Sequence, residues 1–204
     1  HLTNGQGMRY VAGIHEISKK KCTLRIVDEE AIPRERPYQI HLAVAPTKNI
    51  NRMEWLVEKA TELGVESIWP ILTFHSERRK LRLDRLERIA IAAMKQSQRS
   101  WLPRLKEPIA FSAFLDEDFG ESQKILAYID DRVQSELVHT YQAGADVVLG
   151  IGPEGGFSAD EAEQAYAKKY QPVSLGTHRL RTETAALSAL ATVHFVNNFS
   201  TDKG

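Results

Sequence analysis

The sequence predicts an α/β protein built on a mostly parallel sheet with helices on both faces. Three observations carry this. From Tyr38 onward, short apolar runs alternate with segments of helical period, and repeated strand–helix units imply such a sheet. Runs such as Gln39–Ala45 and Val147–Ile151 are apolar almost throughout, as in strands buried on both sides. Val147–Ile151 and Pro172–Leu175 each lead straight into a glycine-bearing turn and then a helix start. In open α/β sheets, ligands bind just beyond the carboxyl ends of such strands.

Residues 1–37 read differently. Met8–Ile17 and Cys22–Val27 are expected strands, joined by the basic turn Ser18–Lys21, with a turn signal at Asn4–Gly7. Two strands alone are marginal, so this segment belongs to a small β domain or packs on the larger one. Pro33 and Pro37, with charges between them, mark a linker. Gln39–Ala45 is then a buried strand. Asn49 or Asn51 caps the following helix and Gly64 stops it. Met53, Leu56, Val57, Ala60 and Leu63 give that helix its buried face. Ser67–Leu72 is the next strand. Leu83–Gln98 is a helix with Leu86, Ile89, Ala90, Ala93 and Met94 on one side and arginines on the other. A short helix over Phe111–Asp118, a strand over Lys124–Ile129 and a helix over Gln134–Ala143 lead to Val147–Ile151. Ser158 and Glu161 form a capping box, with Phe157 and Ala162 at the staple positions. Thr182–Asn198 closes the chain. That helix is apolar nearly all round and has to be covered on more than one side, either as a homodimer interface or as a central core helix.

Composition sets broad limits. The 204 residues suit one domain, or one plus a small appendage. One cysteine, Cys22, allows no internal disulfide and favours a reducing compartment. No apolar run approaches the roughly 20 residues of a membrane span, and no signal peptide is visible. The chain begins at His1 without an initiator Met, as a fragment would. Net charge is zero, yet Arg78–Lys106 is rich in Arg and Lys while Asp116–Glu136 is mostly acidic. The basic stretch reads either as a phosphate-binding surface or as a solvated helix face.

Gly150–Gly155 matches the G-x-G-x-x-G dinucleotide fingerprint. Against an NAD-binding oxidoreductase stand the short remainder of the chain, the lack of an acidic residue after Leu175 to hold a ribose, and Pro153, which removes a backbone donor. Gly152, Gly155 and Gly156, with Leu175-Gly176 beside them, instead offer bare main chain as a slot for a planar base; each turn alone also fits a plain strand-to-helix connection. Thr182 suits a helix N-cap and Glu183 suits the helix dipole. Arg179 and Arg181 exceed that role and can bind phosphate or orient a substrate. His15, His41, His75, His139 and His194 show no metal-ligand spacing, and no metal is implied. A non-catalytic RNA-binding module is the other reading these features allow.

At LGIGPEGGFSADE and LGTHRLRTETAAL the chain resembles the ribosomal RNA small subunit methyltransferase E family, uridine-N3 methyltransferases of 16S ribosomal RNA in the SPOUT superfamily. NRMEWLVEKATELGV, TFHSERRKL and KQSQRSWLP extend the resemblance over nearly the whole chain from about residue 40. It implies an α/β domain over residues 38–204 with a C-terminal trefoil knot, a partial PUA-like, RNA-binding β domain over 1–37 lacking its first strands, a homodimer, and cytoplasmic action on the small ribosomal subunit. It implies S-adenosyl-L-methionine as cofactor, held by Ile151, Gly152, Gly155, Gly156, Leu175, Gly176, Leu180, Arg181 and Ala185, with Tyr128–Asp130 as a third wall. For methyl transfer to uridine N3, Arg181 is expected to stabilise the negative charge developing on the base, and Glu183 either to orient the base or accept its proton or to serve as a plain helix-start residue. Arg52, Arg78, Arg79 and Lys80, with the Lys19–Lys21 turn, would meet RNA phosphates. One departure stands out: relatives often carry Arg where this chain has His178 and an aliphatic residue where it has Arg179.

Overall fold

The computed structural model describes residues 1–129, 132–133 and 135–201. The order is β1 (Leu2–Thr3), β2 (Met8–Ile17), β3 (Cys22–Ala31), β4 (Ile40–Val44), α1 (Ile50–Glu62), β5 (Ser67–Leu72), α2 (Leu83–Gln96), β6 (Arg104–Leu105), β7 (Ile109–Ala110), α3 (Phe111–Phe114), β8 (Gln123–Ala127), α4 (Leu137–Thr140), β9 (Val147–Ile151), α5 (Ala159–Ala167), β10 (Gln171–Val173) and α6 (Thr182–Thr201).

β1, β2 and β3 form a separate antiparallel sheet. β3 runs four residues past the expected end at Val27, because Asp28, Glu29 and Glu30 pair with Val11, Tyr10 and Arg9. Cross-strand pairing here overrides the low strand propensity of acidic residues. Main-chain bonds tie this sheet to the larger unit: Gly7 N donates to Ser100 O and Leu102 N to Gly5 O, both at 2.9 Å. Trp101 Nε1 donates to Ile32 O at 3.2 Å. Gly7 has φ +84°, and a Cβ there would lie 2.3 Å from the Trp101 ring, so only glycine fits this junction.

The larger sheet is parallel throughout, in the order β10-β8-β9-β4-β5-β6, with β7 also on β5. Its central strands alternate between two cores. Ile40, Leu42, Val44, Val147, Leu149 and Ile151 meet α1, α2 and α6 on one face. Ala43, Val148, Leu126 and Ile71 meet Phe111, Phe114, Phe157 and Ala165 on the other. Pro172 sits in β10 without disrupting the ladder because β10 is an edge strand.

Asn49, not Asn51, caps α1, accepting from Asn51 N at 3.0 Å. Several elements are shorter than expected. α3 covers Phe111–Phe114 and does not reach Asp118, whose carboxylate accepts from Gly120 N at 2.8 Å in a local turn; such side chains compete with the helix for backbone donors. α4 covers Leu137–Thr140 only. Leu137 N donates to Ser174 O and Ser174 N to Ser135 O, so this backbone is drawn to β10 instead. Gln134, the expected start of that helix, lies outside the described residues. α2 ends at Gln96, just before Gln98 at φ 57°.

Candidate active site

The carboxyl ends of β8, β9 and β10, three adjacent strands, open into a cavity of about 600 Å³. That is within the usual range for a small-molecule site. Ala127, Tyr128 and Ile129 form one wall, Ile151–Phe157 the second and Val173–Leu180 the third, with Thr182 and Ala185 from α6 closing it. At Gly156 (φ +72°) and Gly176 (φ +115°), nothing lies within 4 Å of where a Cβ would be. The main chain there is bare to a ligand.

Each turn is held by identifiable contacts. Ser174 Oγ donates to Gly176 O at 3.0 Å and accepts from Gly176 N at 3.1 Å, clasping the turn after β10. Thr182 was expected to cap α6. Its hydroxyl instead donates to Gly152 O at 3.1 Å, joining the helix entrance to the turn after β9. Arg179 Nη2 donates to Glu154 O at 3.0 Å, so this shifted arginine bridges the two glycine turns at the cavity mouth. The capping box of α5 forms as expected, with Ser158 accepting from Glu161 N and Glu161 accepting from Ser158 N.

Of the nine residues expected to hold the cofactor, Ile151, Gly152, Gly155, Gly156, Leu175, Gly176, Leu180 and Ala185 line the cavity. Arg181 does not; it is exposed at the head of α6. Asp130, at the end of the expected third wall, lies outside the described residues, whereas Tyr128 and Ile129 are in place. Glu183 also lies off the cavity. It is 5% exposed, with Oε1 3.4 Å from Arg52 Nε and Oε2 buried without a partner. Arg52, expected on the RNA surface, thus faces a buried carboxylate. Sequence reasoning missed the lining residues Phe157, Thr177 and His178; the chain order, which sets them inside or beside the two glycine turns, was the available signal.

The other expected RNA contacts divide in two. Arg78 is spent on main chain, donating to Thr47 O and Lys48 O at 2.8–3.2 Å. Arg79 and Lys80 stand exposed beside Lys48. Further along the basic stretch, Arg85 meets Glu54 at 2.7 Å, Arg99 meets Glu35 at 2.9 Å and Arg104 meets Glu66 at 3.3 Å. Burial holds His41 below its ordinary pKa, and its Nδ1 lies 2.7 Å from Ser67 Oγ. No group of three or more His, Cys, Asp or Glu side chains suited to a metal occurs among the described residues.

Residues 34–194 match the family described as RNA methyltransferase domain. The chain is 34% identical over 181 residues to the ribosomal RNA small subunit methyltransferase E of Synechocystis, covering 84% of this chain and 58% of that relative. The chain therefore spans less than two thirds of that relative's length. A probable rRNA-methyltransferase from Porphyromonas gingivalis superposes with a TM-score of 0.91 at 38% identity, over 97% of this chain and 84% of that one. The ribosomal RNA small subunit methyltransferase E of Neisseria gonorrhoeae, solved bound to S-adenosyl methionine, gives 0.85 at 30% identity over 95% and 81%. Against these matches the G-x-G-x-x-G pattern is a methyltransferase turn rather than a dinucleotide fingerprint, and the oxidoreductase reading falls. The matched span, the parallel sheet and the glycine turns at its carboxyl edge agree: the chain belongs to the ribosomal RNA small subunit methyltransferase E family, among the RNA methyltransferases of SPOUT fold.

Proposed function

We propose that this protein methylates N3 of a uridine in 16S ribosomal RNA, using S-adenosyl-L-methionine. The observation that carries the reading is the cavity of about 600 Å³ at three adjacent strand ends, walled by bare glycine main chain. Those residues fit the cofactor. The apolar lining of Ile151, Phe157, Leu175 and Leu180 suits a planar base, and the glycine turns let it approach the main chain closely. When bound, the cofactor supplies an electrophilic methyl group on sulfur.

The protein's own residues supply alignment and charge. Methyl transfer to a ring nitrogen is an in-line displacement, in which positioning alone removes several kcal/mol of barrier. Arg179 and Thr182 hold the two glycine turns in register around the cavity. Uridine N3 must lose its proton, and Arg181, solvent-facing at the head of α6, stabilises the negative charge that develops on the base. Glu183 orients the base or takes the proton; from its buried place against Arg52 its side chain has to turn towards the cavity to do so.

The finer architecture belongs to the same proposal. Residues 1–37 form a PUA-like RNA-binding domain and 38–204 the SPOUT domain, with a C-terminal trefoil knot. The Thr182–Gly152 and Arg179–Glu154 bonds bring residues 179–182 back onto the turn after β9, the closeness of loops that such a knot needs. The homodimer uses the outer face of α6, where Phe195 and Phe199 are 60% and 71% exposed and stack at 6.4 Å. No described helix is long and apolar enough to cross a membrane, and we place the protein in the cytoplasm.

The test is methylation of unmodified small ribosomal subunits, followed by nucleoside analysis for 3-methyluridine. Arg181→Ala and Glu183→Gln are expected to cut turnover at least tenfold while cofactor binding, measured by calorimetry, stays within about twofold. Absence of 3-methyluridine would overturn the reaction. Near-normal turnover in either variant would remove that residue from the chemistry.

A further inference from the structure

The loop leaving β5 carries a side chain that the proposed reaction has not used. Thr73 N donates to Ser76 Oγ at 2.9 Å, closing a buried turn. His75 packs on the glycine turn of the cavity: a Cβ at Gly155 would stand 3.0 Å from His75 Cβ, and His75 Nδ1 lies 3.1 Å from Gly156 O. Phe74 N donates at 2.8 Å to Glu161, the same carboxylate that caps α5. The loop backbone is therefore fixed to the cavity wall on its inner side.

Phe74 points the other way. At 74% exposure it is the most exposed large apolar side chain among the described residues, and its ring meets that of His75 edge-on at 5.0 Å. Such exposure forgoes burial worth about 1.5–3 kcal/mol. A shallow depression of about 500 Å³ between this loop and Lys48 is lined by Glu77, Arg78, Arg79 and Lys80; Lys48 pairs with Glu77 at 2.8 Å and Arg78 is taken by main chain, which leaves Arg79 and Lys80 facing solvent. An aromatic ring held out by a loop with a fixed backbone, and two exposed cations farther along that loop, match single-stranded nucleic acid, whose bases stack while its phosphates take the charge.

We propose that Phe74 is a stacking platform for a nucleobase of the RNA beside the target uridine, with Arg79 and Lys80 on the flanking phosphates. The inference rests on the RNA methyltransferase reading and extends it to the substrate's conformation. N3 lies on the Watson–Crick edge of uridine, so the target cannot be paired when it reacts. An unpaired, unstacked segment loses its neighbours' stacking, and a protein ring on the outer side of the loop that packs against the cavity wall replaces it.

The experiment compares Phe74→Ala, Phe74→Leu and Phe74→Trp in the full chain. Binding is read with labelled single-stranded oligouridylate over a salt series, turnover with unmodified small subunits, and assembly by light scattering. Phe74→Ala and Phe74→Leu are expected to weaken RNA binding about 5- to 150-fold, the range for losing one stacked base. KM should rise with kcat unchanged, since the contact is made equally in ground and transition states. Phe74→Trp should bind as the parent does. Cofactor affinity and the salt slope should not change, whereas Arg79→Ala should lower that slope by about one. Binding by Phe74→Ala within twofold of the parent would overturn the inference, as would full retention by Phe74→Leu. So would a change of assembly state at unaltered RNA affinity, which would make the ring a contact between copies of the chain. A parent protein that methylates no RNA would refute the functional reading itself, before any variant is compared.

Discussion

Gly176→Ala isolates the backbone's part in shaping the cavity. Gly176 sits at φ +115°, a region that side-chain-bearing residues rarely enter, and nothing lies within 4 Å of the added methyl. The cost is therefore conformational, about 1–3 kcal/mol. It has two places to appear. If the turn keeps its shape, the strain lowers stability, and Tm falls by about 2–4 °C per kcal/mol for a chain of this size. If the turn relaxes to negative φ, the two hydrogen bonds of Ser174 to Gly176 break and the third wall of the cavity shifts. Affinity for S-adenosyl-L-methionine then falls by up to about 150-fold. Calorimetric titration and thermal unfolding, run on the same preparation, read both shares, and together they should account for about 1–3 kcal/mol. Gly13→Ala is the control: the space around Gly13 is also open, but its φ is not positive, so no loss is expected. A Gly176→Ala protein with the parent's Tm and the parent's affinity would refute the claim that this backbone geometry shapes the site.

Ser158→Ala should destabilise α5 by about 1 kcal/mol, as loss of a cap does. Glu161→Ala should destabilise it more, because that carboxylate also holds Phe74 N; urea unfolding of the two variants ranks them. His194 is pushed down to about 4, chiefly by burial and then by the charge of Arg36. The unfolded chain titrates this histidine near 6.5. Between those values the unfolded state binds more protons, so stability is complete above about pH 6.5 and is lost as pH falls towards 4, by at most about 3 kcal/mol. Urea unfolding of His194→Gln across that window should give a flatter profile, with the remaining slope partly due to His41, which burial lowers as well. Phe195→Arg puts a charge on the exposed face of α6; if the proposed dimer forms there, light scattering should find the variant monomeric.

The strands of the large sheet were legible because their burial is written into composition. IHLAV in β4 and VVLGI in β9 are buried at every position, and no amphipathic period competes with the strand reading. The short helices were not legible, because their ends are set by tertiary hydrogen bonds. Leu137 N is taken by Ser174 O, some 37 residues along the chain, and no local pattern announces that. β6 and β7, two residues each, carry too little pattern to be read at all.

The site shows the same division at the level of single side chains. The glycines of the cavity were readable, since close main-chain approach is what glycine uniquely permits. The polar residues around them were readable as to place but not as to partner. Thr182 looks like a cap from its neighbours in sequence, and only the return of the chain to β9 makes Gly152 O its acceptor. The basic stretch misleads for a related reason. Counted along the chain, residues 78–106 hold a large excess of cations. In space, Glu54, Glu35 and Glu66 arrive from other elements and neutralise Arg85, Arg99 and Arg104, while main-chain carbonyls occupy Arg78. Each of these pairs has one partner largely buried, and each removes charge from the surface that a phosphate backbone would meet. The attraction left for RNA thus falls to fewer cations than the sequence suggests: Arg79 and Lys80, in the loop that holds Phe74 out to solvent, and, farther along, Arg82 and Arg88, which share the single Asp84, and Lys95.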